Sequence, residues 1–329
     1  MRFGLFIPQG WRLDLVGIDP GEQWGVMRDL ASYADDGGIW DSLWVYDHFH
    51  TVPMPTKEAT HEAWSLMAAY AATTSRIKLG QMCTAMSYRN PVYLAKVAAT
   101  CDLISGGRIQ MGIGGGWYEH EWRAYGYGFP SAGVRLARLD EGVQIMGDAW
   151  REASSVSRAS TIRWTGPSSS RDLCRRAVSR CGSPVVVRKS PCVSRRSTPS
   201  TPISRRSRSF AHKSQVLAAH CRDVGTDFGA IVRSANINVV VGSSEADVQD
   251  RLNGVRSRIR ALTGDAAADA MLNSMSSPAA GSGTPEQIIE ALQKLRDLGC
   301  DYIICYFPEA AYDRSGVEAF EKEIIPALS

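Results

Sequence analysis

Residues 104–117 read ISGGRIQMGIGGGW, and the parsing of this stretch decides the fold. Residues 108–113 (RIQMGI) form a short apolar strand that runs directly into Gly114-Gly115-Gly116. Three consecutive glycines permit positive φ and let a ligand come close to the backbone. The stretch does not fit the dinucleotide fingerprint, because GxGxxG finds no useful match in it.

Working outward, strands and helices alternate. Residues 2–8 read as a buried strand, 22–34 as a helix, and 41–46 (DSLWVY) as a second strand. Thr60 is placed to cap a helix holding Trp64, Leu66 and Met67. Residues 77–83 (IKLGQMC) are a third strand, and Asn90-Pro91 opens a helix, where the missing proline N–H costs little. A helix over 134–150 follows the strand at 108–113. Further on, 235–241 (ANINVVV) is a strand and 245–262 a helix. Thr284-Pro285-Glu286 starts another helix, 302–307 (YIICYF) is a last strand, and 318–328 a closing helix. Such alternation points to parallel βα units. The 329 residues suffice for one large α/β barrel or two ordinary domains. Six strands are counted, so an eight-stranded barrel needs two more between about 153 and 215.

That interval has a different composition. Residues 153–209 hold 16 Ser and 12 Arg in 57 positions, with one Lys and a single acid, Asp172. Its charge is +12, so the net +3 of the chain leaves −9 for the remainder. Neither helical nor alternating periodicity is visible there. One reading is a disordered basic insertion. Another is an arm that binds nucleic acid through its arginines. A third is translation in the wrong frame, and this is the reading preferred. Reverse translation, with each new codon starting at the third base of the old one, lets residues 190–204 encode TLRIAAEYAEYANF. Residues 179–187 likewise permit PLWIxGGG, and 156–167 permit FEGKHYTLDGA. The expected organisation is an N-terminal half barrel over 1–152, an aberrant segment over 153–210 and a C-terminal part over 211–329.

No apolar run is long enough to cross a bilayer, and MRFGLFIPQG lacks the form of a cleavable leader. The expected compartment is the cytoplasm. The cysteines at 83, 101, 174, 181, 192, 221, 300 and 305 form no CxxC pair and read as reduced thiols.

In parallel barrels the chemistry sits at the C-terminal strand ends. The second strand ends at Tyr46-Asp47-His48-Phe49. His48 can donate a proton or hydrogen bond to a reacting oxygen, with Asp47 orienting it, or it is a satisfied histidine at the start of a loop. The third ends at Cys83-Thr84-Ala85-Met86, where small residues admit a flat ring. The fourth brings Gly115, Trp117 and Glu119. Trp117 can wall a pocket, and Glu119 is either an acid–base group or an exposed carboxylate near a helix start. His48, His50, His61 and His120 lack metal-site spacing, so no metal is expected.

Together, RFGLFIPQG, SLWVYDHF, residues 74–126 and GTPEQIIEALQKLRDLGCDYIICYF resemble the luciferase-like monooxygenase family, especially its F420-dependent oxidoreductases. The resemblance covers 1–150 and 211–329 and implies a (β/α)8 TIM barrel with the fifth and sixth strand region disrupted. It implies coenzyme F420, or alternatively FMN, across the barrel mouth, with His48 toward its reactive face. Cys83, Thr84, Ala85 and Met86 match a bulge, often with a non-prolyl cis peptide, that backs the ring. Gly115 and Trp117 match the cofactor-lining end of the fourth strand, Asp47 belongs to the same DH pair, and Glu119 lies near an acidic active-site position. The family's glycine-rich phosphate turn exists here only in the alternative frame, since residues 185–187 are Val-Val-Val. The implied reaction is hydride transfer between F420 and a small organic substrate, in a homodimer. An FMN-dependent monooxygenase is the alternative, and a Ser/Arg arm bound to nucleic acid, which is not the expected partner, is another.

With two barrel strands replaced, an open barrel would bare strand edges and core. The chain as written is therefore expected to fold poorly, without a cooperative melt and without activity, while a frame-restored version folds. Circular dichroism melts of both check this, and a sharp transition in the chain as written contradicts it.

Overall fold

The computed structural model describes residues 1–155, 186–187 and 203–329. In chain order the strands are β1 (Arg2–Phe6), β2 (Ser42–Val45), β3 (Lys78–Gln81), β4 (Thr84–Ala85), β5 (Ile109–Gln110), β6 (Gly112–Gly114), β7 (Val186–Val187), β8 (Ser234–Asn238), β9 (Val240–Val241), β10 (Ser282–Gly283) and β11 (Tyr302–Tyr306). Every strand pair within a unit is parallel. The chain divides into two compact units, Met1–Glu62 with Arg195–Ser329, and Ala63–Ser194.

In the first unit the order is β2-β1-β11-β8. β1 is central, pairing Leu5 with Leu43 on one side and with Cys305 on the other. β1, β2 and β11 are almost wholly buried, as continuous apolar runs of parallel strands should be. Helices follow from their caps. Asp19 accepts from Gly21 N at the start of Pro20–Gly37, and Gly38 closes it at φ 74°. Ser244 accepts from Asp247 N to open Glu245–Thr263. That helix buries Val248, Leu252, Val255 and Ile259, one face at helical spacing, against Leu13, Val240, Leu272 and Met275. The segment over 315–328 is α-helical at both ends with a π turn over Phe320–Ile324.

In the second unit β3 pairs with β5, and β4-β6-β7 form a separate ladder. Asn90 accepts from Val92 N and Tyr93 N to cap Pro91–Ser105. Arg108 then ties the strand to its surroundings. Its guanidinium donates to the carbonyls of Ser105, Ile77, Ala71 and Thr74 and to the Thr74 hydroxyl, at 2.7–3.1 Å.

Several expectations change in detail. The strand read over 108–113 is two strands broken at Met111, and 235–241 breaks likewise at Val239. Thr60 does not cap that helix: it starts at Ala63, and the Thr60 hydroxyl is buried with no hydrogen-bond partner among the described residues. A helix over Asp265–Asn273, too short and alanine-rich for a period to show, went unread. Of the Ser/Arg-rich segment, Val186–Val187 pair with Gly112 and Ile113, and residues 203–209 begin the helix Ile203–Val224. The rest of that segment, with the two strands sought in it, lies outside the described residues. The five described cysteines are free, and among the described residues no helix is long and apolar enough to cross a membrane.

Arg108→Ala should lower stability by about 2–4 kcal/mol, since it leaves four carbonyls short of a donor at once. Urea midpoints with and without the substitution, both in the frame-restored chain, measure the loss.

Candidate active site

In the first unit the strand ends are fastened by one amide. Gln9, following β1, donates from Nε2 to Tyr46 O at 2.8 Å and to His61 O at 2.6 Å, and its Oε1 accepts from Tyr46 N at 2.8 Å. This holds the peptide just before Asp47-His48 against the end of β1. Both members of that pair are buried. The His48 ring lies flat on Trp11, with centroids 4.1 Å apart and planes 1° apart. Trp11 also contacts Tyr46, which stacks on Phe6 at 4.2 Å. The imidazole plane is thus set by aromatic packing from the loop after β1.

That loop closes on itself. Leu13 N donates to Gly10 O, and Asp14 Oδ1 accepts from Gly10 N at 2.7 Å and Gln9 N at 3.3 Å. Gly10 is required, because its φ is +87° and a Cβ there would overlap the Ala59 carbonyl. Tyr306, the last residue of β11, donates its hydroxyl to Asp14 Oδ2 at 3.1 Å. Burial pushes the Asp14 carboxyl above the usual range, and the hydrogen bonds from Gly10, Tyr306 and Gln9 pull the other way. Arg12 lies over the rings of Tyr306, Trp11 and Tyr46, at 4.7, 5.1 and 5.5 Å, and donates to Asn238 Oδ1 at 2.6 Å.

In the second unit the residues expected to back a flat ring fall into a ladder. Thr84 pairs with Ile113 and Ala85 with Gly114, and a Cβ on Gly114 would stand 3.4 Å from that of Cys83. The Met82-Cys83 peptide is cis. Thr84, Ala85 and Met86 are buried, and Met86 rests where Gly142 leaves no side chain on Ala132–Ser155. Gln81 accepts from the Thr84 hydroxyl, and its buried Nε2 has no acceptor among the described residues. A strip of small side chains with a spare buried donor fits the edge and face of a flat heteroaromatic group.

Gly115 and Trp117 follow β6, with Trp117 half-exposed and stacked on Tyr118 at 5.3 Å. Glu119 is the first residue of the short helix Glu119–Ala124, about half-exposed, and pairs with Arg123 at 2.7 Å. The buried carboxylate of this helix is Glu121, which accepts from Tyr88 Oη at 3.1 Å. Trp122, fully buried, fills the space that Gly116 leaves at φ +72°. Among the described residues no three His, Cys, Asp or Glu side chains gather as metal ligands.

The sequence reading passed over Trp11, Arg12, Asp14, Gln81 and Glu121. A signal existed for Trp11 and Arg12, which follow the end of the first strand, the kind of position where barrels carry function.

Residues 1–187 match the family model described as luciferase-like monooxygenase. The F420-dependent glucose-6-phosphate dehydrogenase of Amycolatopsis mediterranei is 36% identical over 136 residues, 39% of each chain. The pyrimidine monooxygenase RutA of a Bradyrhizobium species is 42% identical over 96 residues, 29% of this chain and 26% of that one. The chain thus matches about two fifths or less of the length of these curated relatives. Among solved structures, the monooxygenase RslO1 of Streptomyces bottropensis superposes with a TM-score of 0.67 at 18% identity, over the whole of both chains. That likeness carries the fold, a luciferase-like α/β barrel.

His61, whose Nε2 meets Gln23 Oε1 at 2.8 Å, is pushed below the ordinary imidazole value near 6.5 by burial, with Asp14 opposing. The unfolded chain therefore takes the proton first, and stability present above about pH 6.5 is lost as pH falls through and below it. In the frame-restored chain the urea midpoint should drop between about pH 7 and pH 5.5, and His61→Gln should flatten the drop.

Proposed function

The chain belongs to the luciferase-like monooxygenase family, and we propose that it is an F420-dependent oxidoreductase acting on a small organic substrate. The observation that supports F420 is the 36% identity over 136 residues to an F420-dependent dehydrogenase. Bound to the chain, the deazaflavin would supply the hydride chemistry.

The residues of the chain bind, orient and move a proton. Thr84, Ala85 and Gly115 would hold the flat ring, Cys83 and Met86 would fill in behind it, and Trp117 would flank it. His48 would exchange a proton with the substrate oxygen as hydride leaves or arrives at the carbon that bears it. Trp11 keeps the imidazole in one plane, so the ring loses little freedom at the moment of transfer. Asp47, buried beside it, belongs to the same rim. Glu119 is given no proton to carry, because it is half-exposed and already paired with Arg123. The cytoplasm and a homodimer are part of the same proposal.

A second reading, an FMN-dependent monooxygenase, is favoured by the 42% identity over 96 residues to a pyrimidine monooxygenase. Parallel titrations with F420 and FMN separate the two. F420 binding in the micromolar range is expected, and tight FMN binding without F420 binding overturns the first reading. In the frame-restored chain, His48→Ala should cut turnover by about 10²–10⁴-fold with cofactor affinity unchanged. An active His48→Ala enzyme removes the proton role.

A further inference from the structure

Two hydrogen-bond donors follow one another in the loop after β1, with the Arg12 guanidinium carbon 5.1 Å from the centroid of the Trp11 ring. Arg12 gives one hydrogen bond, to Asn238 Oδ1, and forms no ion pair among the described residues. It is half-buried against three aromatic rings, whose centroids lie 4.7–5.5 Å from its guanidinium carbon. Next to it, the Trp11 side chain is only 6% exposed, yet its Nε1–H is buried with no acceptor among the described residues. A buried donor left unmatched is costly unless a ligand supplies the acceptor. The nearest carboxylate in sequence, Asp14, does not fill the role. Its two oxygens are taken by Gly10 N, Gln9 N and Tyr306 Oη.

We propose that Arg12 and the Trp11 indole N–H form an anion subsite, and that the substrate of this enzyme carries a carboxylate or phosphate monoester. A guanidinium suits both, since its planar fork can take two oxygens at once. The subsite faces a substrate rather than a cofactor tail because Trp11 is also the ring on which His48 lies. An anion on Arg12 is one aromatic ring away from the imidazole assigned to the reacting centre. This rests on the reading of the site as an oxidoreductase centre and narrows its substrates to small anionic hydroxy or oxo compounds. Arg12 is a specificity-determining residue in this assignment, and touches no reacting atom.

The test is calorimetric titration of the full chain, as written and frame-restored in parallel, with inorganic phosphate and with oxalate. Chloride matches the ionic strength throughout. Saturable binding is expected, weakened about tenfold or more by Arg12→Gln and partly kept by Arg12→Lys. Trp11→Phe, which keeps the ring and loses the N–H, should weaken it severalfold, and guards against a simple folding defect in the Arg12 variants. Equal anion binding by parent and Arg12→Gln overturns the subsite. F420 affinity should be the same in all four proteins. If it falls together with phosphate affinity, the anion belongs to the cofactor and the substrate assignment is overturned. If the parent binds phosphate through Arg12 but neither F420 nor FMN, the oxidoreductase reading fails, and with it the narrowing of substrates.

Discussion

The side-chain amide of Gln9 is the contact on which the working end of the first unit depends. A parallel sheet leaves its strand ends with unpaired peptide groups, and these must find partners or water. Here one buried side chain satisfies both the N–H and the carbonyl of Tyr46 and reaches the carbonyl of His61 as well. The strand that delivers Asp47 and His48 therefore ends at a defined place. The loop that delivers Trp11 and Arg12 leaves from the same residue. A hydrophobic side chain at position 9 would strand three backbone groups in the interior, a cost of several kcal/mol by ordinary hydrogen-bond energetics.

The second unit solves a different problem, that of making a smooth surface from polypeptide. β4 and β6 are only two and three residues long, and they meet where Thr84, Ala85 and Gly114 carry little or no side chain. Bulk is placed behind the surface instead. Met86 lies against Gly142, Trp122 against Gly116, and Tyr88 donates to the buried Glu121. Side chains of this size packed at interior density leave the wall little room to deform.

Much of this was legible from residues alone. The apolar run 302–307, the proline after Asn90 and the glycines after Ile113 each impose a local structure that tertiary context did not overrule. What escaped reading depended on distance in sequence. Nothing near Thr60 reveals that the helix starts three residues later, at Ala63. Glu119 and Glu121 look alike in a string, and only the fold decides that one meets solvent and Arg123 while the other meets Tyr88. Arg12 looks isolated in the string, and only the fold brings Asn238, more than two hundred positions away, within hydrogen-bond reach of it.

Leu13 has a φ of 59°, a conformation that bulky side chains rarely take, and its side chain is among the apolar residues packed under the helix Glu245–Thr263. The tip of the loop is thus moored from below. Glycine there would ease the backbone but cut the mooring, and any other large residue would keep the backbone twist while misfitting the socket. Diversification at Arg12 is consequently cheap, whereas a change at Asp14 or in loop length is not. Natural variation in what this rim recognises is then expected to travel by exchange of side chains at fixed spacing, with insertions confined to other turns.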